Sequence, residues 1–380
     1  GDSSSCWGVK KFPYAGKTGN GEARQRLEEE FREEEKPEKT AFLFLLIPLL
    51  CIGFVIFTIV YLFAASFTSN GEFVGLQNFV KLFTEDPYFW PALWHNLFWM
   101  IWAILIPVGL GFILAFILSA GLKGEGFFKG VIYFPALLSG ATIGVIWSWF
   151  FLPKDNGVLN FILSKLGLMG LANPTTKLWI NDPSSPVPFL WIITIPVFAI
   201  SVMVILLSFF PKVSDLSLVL IVGLFGIGIP AILYKTGAVS TSLVSILIAS
   251  TWAGSAVSMV MFLAGMRAIP KSVLEAAKVD CASWFQTLRH VILPYLRPVF
   301  TILIVLSAIS SVKAFDLVYT LAGQEGGAGH HAADVLALYI YRSLKIGNYG
   351  YASAIGVIGI LVAIAPVIIY ITLMRRREEE

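Results

Sequence analysis

Residues 275–294 read Glu-Ala-Ala-Lys-Val-Asp-Cys-Ala-Ser-Trp-Phe-Gln-Thr-Leu-Arg-His-Val-Ile-Leu-Pro, a charged, amphipathic island between two long apolar segments. Just ahead of it, Pro270 suits a first helical turn, where no backbone N–H is needed. Ser272 to Val279 then carries an apolar face through Val273, Ala276, Ala277 and the side of Leu274. Asp280 is placed to cap a second helix bearing Trp284, Phe285 and Leu288, and Leu293-Pro294 closes the island. The small Ala276 and Ala277 admit a neighbouring backbone, while Trp284 and Phe285 have the bulk to fill a groove on a partner. Two readings follow from the residues: a loop lying on a membrane surface, or a docking face for a soluble protein.

The flanking segments set the class. The chain has 380 residues, 57% hydrophobic and 13% charged, with a mean hydropathy of +0.79. Several apolar runs exceed the roughly 18 residues that mark a spanning helix. Spans are predicted at 41–65, 92–120, 127–152, 188–210, 216–234, 241–266, 297–320 and 350–374, each closing its own backbone hydrogen bonds. The expected fold is an all-α polytopic membrane protein of about eight spans. Residues 1–40 form a polar tail rich in mixed charge, without the short apolar core of a secretory signal. Cys6, Cys51 and Cys281 fall in the tail, an apolar segment and the island, so no disulfide framework is expected.

Charge orients the chain. Lys123 and Lys129, the island cations Arg267, Lys271, Lys278, Arg289 and Arg297, and the terminal Arg375, Arg376 and Arg377 share one face if there are eight spans. The opposite loops carry Glu72, Glu85, Asp86, Asp155 and Asp182. The basic face, with both termini, is therefore expected to be cytoplasmic. Tyr88, Trp90, Trp94, Trp99 and Trp179 fall near the predicted outer boundaries, where interfacial aromatics belong. The net charge of +3 gives no reason to expect a nucleic-acid partner.

The pattern Glu275-Ala276-Ala277, Asp280, Ala282-Ser283 and Leu293-Pro294 resembles the EAA loop of importer-type ABC permeases, in the carbohydrate branch typified by the maltose transporter. Further stretches match in order: Phe73 to Phe79, Phe127 to Gly130, Pro135, Phe262 to Pro270, Ala314 to Tyr319 and Tyr349 to Ala354. The resemblance covers roughly 41–182 and 241–377. It implies a six-helix permease core, with 183–240 as an inserted apolar hairpin lying peripherally and 241–380 completing the core around a coupling loop at 268–297. It also implies that Glu275, Ala276, Ala277, Asp280, Cys281, Trp284, Leu293 and Pro294 meet an ATP-binding subunit dimer. The implied partners are that dimer, a second homologous permease subunit, an extracytoplasmic solute-binding protein and membrane lipid. ATP and Mg would be bound by the partner subunits, with no cofactor, metal or catalytic residue in this chain. The implied setting is a bacterial or archaeal inner membrane. One departure stands out: the family usually has Gly where this chain has Cys281, so a turn with positive φ would be costly here.

Polar groups inside spans tend to face a cavity or a partner helix. By register with the family's sugar pocket, Gly254, Ser255 and Val257, followed by Ser258, come from one span, and Ser307, Ser310, Ser311 and Lys313 from another. Phe315 or Trp252 would supply an aromatic platform. Asp316 lies one helical turn from Lys313, so the two either neutralise each other or leave Lys313 to snorkel or to meet substrate.

Other signals fail on chemistry. Gly16-Lys17-Thr18 resembles the end of a phosphate-binding loop, but position 11 is Lys where that loop needs Gly. His330-His331 lies in a Gly-rich loop without further ligands in sequence. The expected activity is ATP-driven sugar import by alternating access. The rival readings are import of a polyol or glycerol phosphate, and, in a different class, an ion-coupled secondary transporter, which would require an internal repeat that is not evident.

Overall fold

The structure is a computed structural model that describes residues 37–121, 123–153, 156–166, 179–180, 197, 199–205, 207, 239–327 and 331–378. Most of the predicted tail and of the spans 188–210 and 216–234 lies outside these residues. The chain divides into two compact units between Tyr61 and Leu62. The first contributes most of α1 (Pro37–Ser66). Its side chains from Leu49 to Tyr61 are exposed and mostly apolar, as a lipid-facing helix requires.

In the second unit a short hairpin pairs Thr68–Ser69 with Glu72–Phe73. Asn70 and Gly71 connect them with φ of 51° and 87°, the left-handed pair of a type I′ turn. Next comes α2 (Gln77–Thr84), whose buried Asn78 donates to Ser66 O at 2.9 Å and Thr68 O at 2.8 Å. Those bonds satisfy the last carbonyl of α1 and the first of the hairpin. The long α3 (Phe89–Ser119) and α7 (Thr241–Arg267) form the central pair. They cross closely at Gly111, where an added Cβ would collide with Ser258 and lie 2.7 Å from Met259 N. Two apolar clusters flank the crossing, one around Trp102, Ile246 and Val318, the other around Phe112, Phe262 and Phe300.

The predicted span 127–152 is two helices. The segment of α4 (Glu125–Tyr133) and its 3-10 extension to Leu137 meets α5 (Gly140–Phe150) at 103°. Pro135 tightens the turn, Leu138 is extended, and the Ser139 hydroxyl restarts the helix by accepting from Thr142 N at 3.2 Å. A small α6 (Val158–Lys165) follows. Beyond α7, α8 (Lys271–Val279) and α9 (Trp284–Tyr295), which includes a π turn, form the island. A bend of 62° leads into α10 (Arg297–Val312). The predicted span 297–320 is likewise interrupted: α10 stops at Val312 and α11 (Asp316–Ala322) starts afresh. Then come α12 (Leu336–Lys345) and α13 (Tyr349–Glu378).

The fold is helical throughout apart from the hairpin, among the described residues. By length and composition, three helices among the described residues can cross a membrane, or five if each bent pair is one span, with Tyr349–Ala365 as a shorter apolar helix. Two expectations change. In the segment read as peripheral, the described residues are 197, 199–205, 207, 239 and 240, of which Ser201, Val202, Val204, Leu207, Val239 and Ser240 are buried. Gly109 admits Ser201 against α3, so this part packs inward. Trp99 and Trp179 are buried too, whereas Tyr88, Trp90 and Trp94 are exposed. The Trp179 indole N–H donates to Asn160 Oδ1 at 2.8 Å, which satisfies its polar edge without water.

Candidate functional site

The island begins where α7 ends. Arg267 donates to Glu125 at 2.6 Å, and Lys129 pairs with the same carboxylate one turn along α4. Leu274 and Ile292 reach the cleft bounded by Phe116, Met266 and Ile269, so both island helices rest on α3 and α7. Trp284 stands edge-on to Phe116, with ring centroids 5.5 Å apart.

The two island helices are joined by a tight turn. Cys281 N–H donates to Lys278 O at 3.1 Å and Ala282 N–H to Ala277 O at 3.0 Å. These are the two bonds of a Schellman motif, with Cys281 at its left-handed position, φ 52°. The turn that glycine would favour is therefore kept by a cysteine. Asp280 does not cap the second helix as predicted; it is the C-cap of α8. Ser283 is the N-cap of α9. Its hydroxyl accepts from Gln286 N at 3.3 Å, while Gln286 Oε1 accepts from Ser283 N at 2.7 Å. That reciprocal pair is a capping box.

The predicted coupling residues fall into two groups. Glu275, Ala276, Asp280, Cys281 and Trp284 are exposed, alongside Val279 and Phe285. Ala277 and Leu293 are buried in the chain itself, and Pro294 is half-buried. The apolar face read through Val273, Leu274, Ala276 and Ala277 is thus divided: Ala277, Val273 and Leu274 turn toward the body and Ala276 stays exposed. The exposed surface carries Glu275 and Asp280 with Lys278 between them, beside the aliphatic Val279 and the aromatic Trp284 and Phe285.

A second feature lies deeper. A cleft of about 220 Å³ opens between α3, α7 and α10, and Gly254, Val257, Ser258, Ser307 and Ser310 all line it. Five of the predicted path residues therefore converge. Sequence reasoning missed Trp99, Pro107 and Ser250 on the same wall. Pro107 lies about 3.0 Å from where a Cβ on Gly254 would sit, and proline in an apolar run was the available signal. Ser255 and Ser311 are buried away from the cleft; the Ser311 hydroxyl donates to Ala308 O at 2.8 Å. Lys313 and Asp316 are exposed, and the break between α10 and α11 removes the helical turn that would stack them. No ion pair joins them among the described residues. Neither aromatic platform stands bare: Trp252 faces Trp147 at 6.3 Å, and Phe315 stacks on Tyr319 at 5.3 Å and meets Tyr341 at 5.2 Å.

At the end opposite the island, the Asp86 carboxylate accepts from both Tyr339 and Tyr351. Burial, and then the adjacent carboxylate, raise the Tyr339 phenol well above its usual range. Asp334, fully buried, pairs with Arg342 and lies 2.8 Å from His331 Nδ1.

A family profile described as the binding-protein-dependent transport system inner membrane component matches residues 179–378. The chain belongs to this family. It is a multi-pass membrane transport component, as its apolar helices require. Among its relatives is a probable ABC transporter permease protein of Pyrococcus horikoshii, 28% identical over 89% of this chain and 96% of that one. The multiple sugar-binding transport system permease protein MsmF of Streptococcus mutans is 27% identical over 77% of each chain. The trehalose/maltose transport system permease protein MalF of Thermococcus litoralis is 24% identical over 83% of this chain and 84% of that one. The fold matches a chain in the crystal structure of a bacterial ABC transporter importing the acidic polysaccharide alginate. That match has a TM-score of 0.60 at 18% identity and covers 91% of this chain and 99% of the other.

Proposed function

We propose that this chain is the translocating permease subunit of an ATP-driven sugar importer, and that residues 275–294 couple it to separate ATPase subunits. The observation that carries the reading is the island itself. Its exposed face (Glu275, Ala276, Val279) is bare, its other face rests on the α7 end through Ile269 and Leu274, and Trp284, though largely exposed, reaches α3 edge-on at Phe116. A rigid-body push on that face therefore reaches the two helices that wall the cleft. Sugar relatives such as the MsmF and MalF permeases support the substrate class. The serines Ser258, Ser307 and Ser310 supply the hydroxyl hydrogen bonds a sugar needs. The chain would work beside a second permease, an ATPase dimer and a solute-binding protein, in a bacterial or archaeal inner membrane with both its termini cytoplasmic.

One observation favours a narrower reading. Lys313 is exposed at the end of the cleft helix with no acidic partner among the described residues, which suits an anionic saccharide. Reconstitution of the purified complex decides both points. ATP hydrolysis should rise with one of trehalose, maltose or alginate oligosaccharides, and Lys313→Met should raise KM only for an acidic one. Ala276→Arg on the exposed face should abolish the stimulation by blocking ATPase docking while the chain remains folded. Unchanged stimulation in Ala276→Arg would remove the coupling role from the island.

A further inference from the structure

Asn96 is a fully buried amide on a membrane helix, and its two ends are spent on two different helix termini. Its Nδ2 donates to Ser311 O at 2.9 Å. Its Oδ1 accepts from Leu336 N at 2.6 Å. Both partners are groups a helix cannot satisfy by itself. Ser311 lies in the last turn of α10, and Phe315 N–H, four residues on, turns instead to Lys313 O at 2.8 Å. Leu336 is the first residue of α12, whose N-cap Val335 offers no side-chain bond. The preceding residue on α3 works alongside: His95 Nδ1 lies 2.8 Å from Asp334 O.

We infer that Asn96 is a positioning residue that clamps the outer end of the cleft helix α10 to the segment entering α12, so that the two move together when the cleft changes state. The inference rests on the importer reading above. The clamp sits where α10 breaks off, just beyond Ser307 and Ser310, so it fixes the end of the helix that presents those serines. Polar side chains at membrane depth are costly and persist where they satisfy such groups. A leucine of similar size would leave a buried carbonyl and a buried N–H unpaired, and α10 would then be free to shift independently of α12.

The test uses the assembled complex in proteoliposomes, with Cys6, Cys51 and Cys281 replaced by Ala and Ser310→Cys as a reporter. A membrane-impermeant methanethiosulfonate labels the reporter from outside, without nucleotide and after trapping with ATP and orthovanadate. The parent should show a trapped-to-free ratio of labelling rates well away from one. Asn96→Leu should bring that ratio toward one by at least about fivefold. Asn96→Asp, which keeps the acceptor for Leu336 N–H and loses the donor to Ser311 O, should fall between. A ratio in Asn96→Leu equal to the parent's overturns the inference; should that variant not assemble, Asn96→Asp decides by the same criterion. Amide exchange at Leu336, read without nucleotide, should accelerate in Asn96→Leu and stay near the parent's in Asn96→Asp, and unchanged exchange in Asn96→Leu also overturns the clamp. A parent ratio of one would instead sink the importer reading, leaving the clamp to be judged on exchange.

Discussion

At Cys281 the backbone holds φ of 52° although the residue carries a Cβ. A left-handed conformation costs an L-residue roughly 1–2 kcal/mol relative to glycine. Cys281→Gly should therefore stabilise the turn by about 1 kcal/mol, less the glycine entropy lost, and raise the apparent Tm of the purified complex. A lower Tm would mean that the exposed thiol contributes more than the strain removes. The left-handed turn was only half legible: the resemblance places glycine there, but a cysteine left the turn's conformation open. The cap was harder to read. Ser283 and Gln286 have capping-box spacing, but Asp280 competes by residue type, and only the path of the chain through Cys281 decides between them. Trp179 was not legible as a core residue, because Asn160 and Phe151, which bury it, are distant in sequence.

Among the elements, the α3–α7 crossing is the most exacting. Gly111→Val would drive a branched side chain into Ser258 and Met259 N, which belong to a helix that cannot yield locally. The expected loss is about 3 kcal/mol or more, read as a lower yield of folded complex and a lower apparent Tm; wild-type behaviour would show that the two helices separate easily. Hydrophobic runs locate these long helices well, since periodicity hardly matters when a helix is apolar all round. They locate breaks poorly. Pro135 and Ser139-Gly140 do announce the bend before α5, whereas the end of α10 lies in a run marked only by Lys313 and Asp316. The convergence of Gly254, Val257, Ser258, Ser307 and Ser310 was legible by family register. The exclusion of Ser255 and Ser311 was not, because it depends on how each helix is rotated.

Across the second unit as a whole, polar cross-links gather at one end. Asp86 accepts from Tyr339 and Tyr351 through one oxygen and from Tyr88 N at 2.8 Å through the other. It ties the α2–α3 connection to α12 and α13. Asp86→Ala should cost roughly 1–3 kcal/mol by stranding the half-buried Tyr339 and the buried Tyr351. Thermal unfolding of the purified complex measures the loss, and an unchanged Tm would show that the phenols rebond elsewhere.

The island end is held differently: among the described residues its carboxylate bridge, Glu125, is shared between Lys129 and an Arg267 side chain that is 61% exposed. Screened, solvated links of that kind yield under load, while buried amide and phenol bonds do not. The buried pole would thus act as the fixed end, and a push on the island, seated against Phe112 and Phe262 through the buried Leu288 and Leu293, would swing the α3–α7 pair about it while the solvated Glu125 link re-forms.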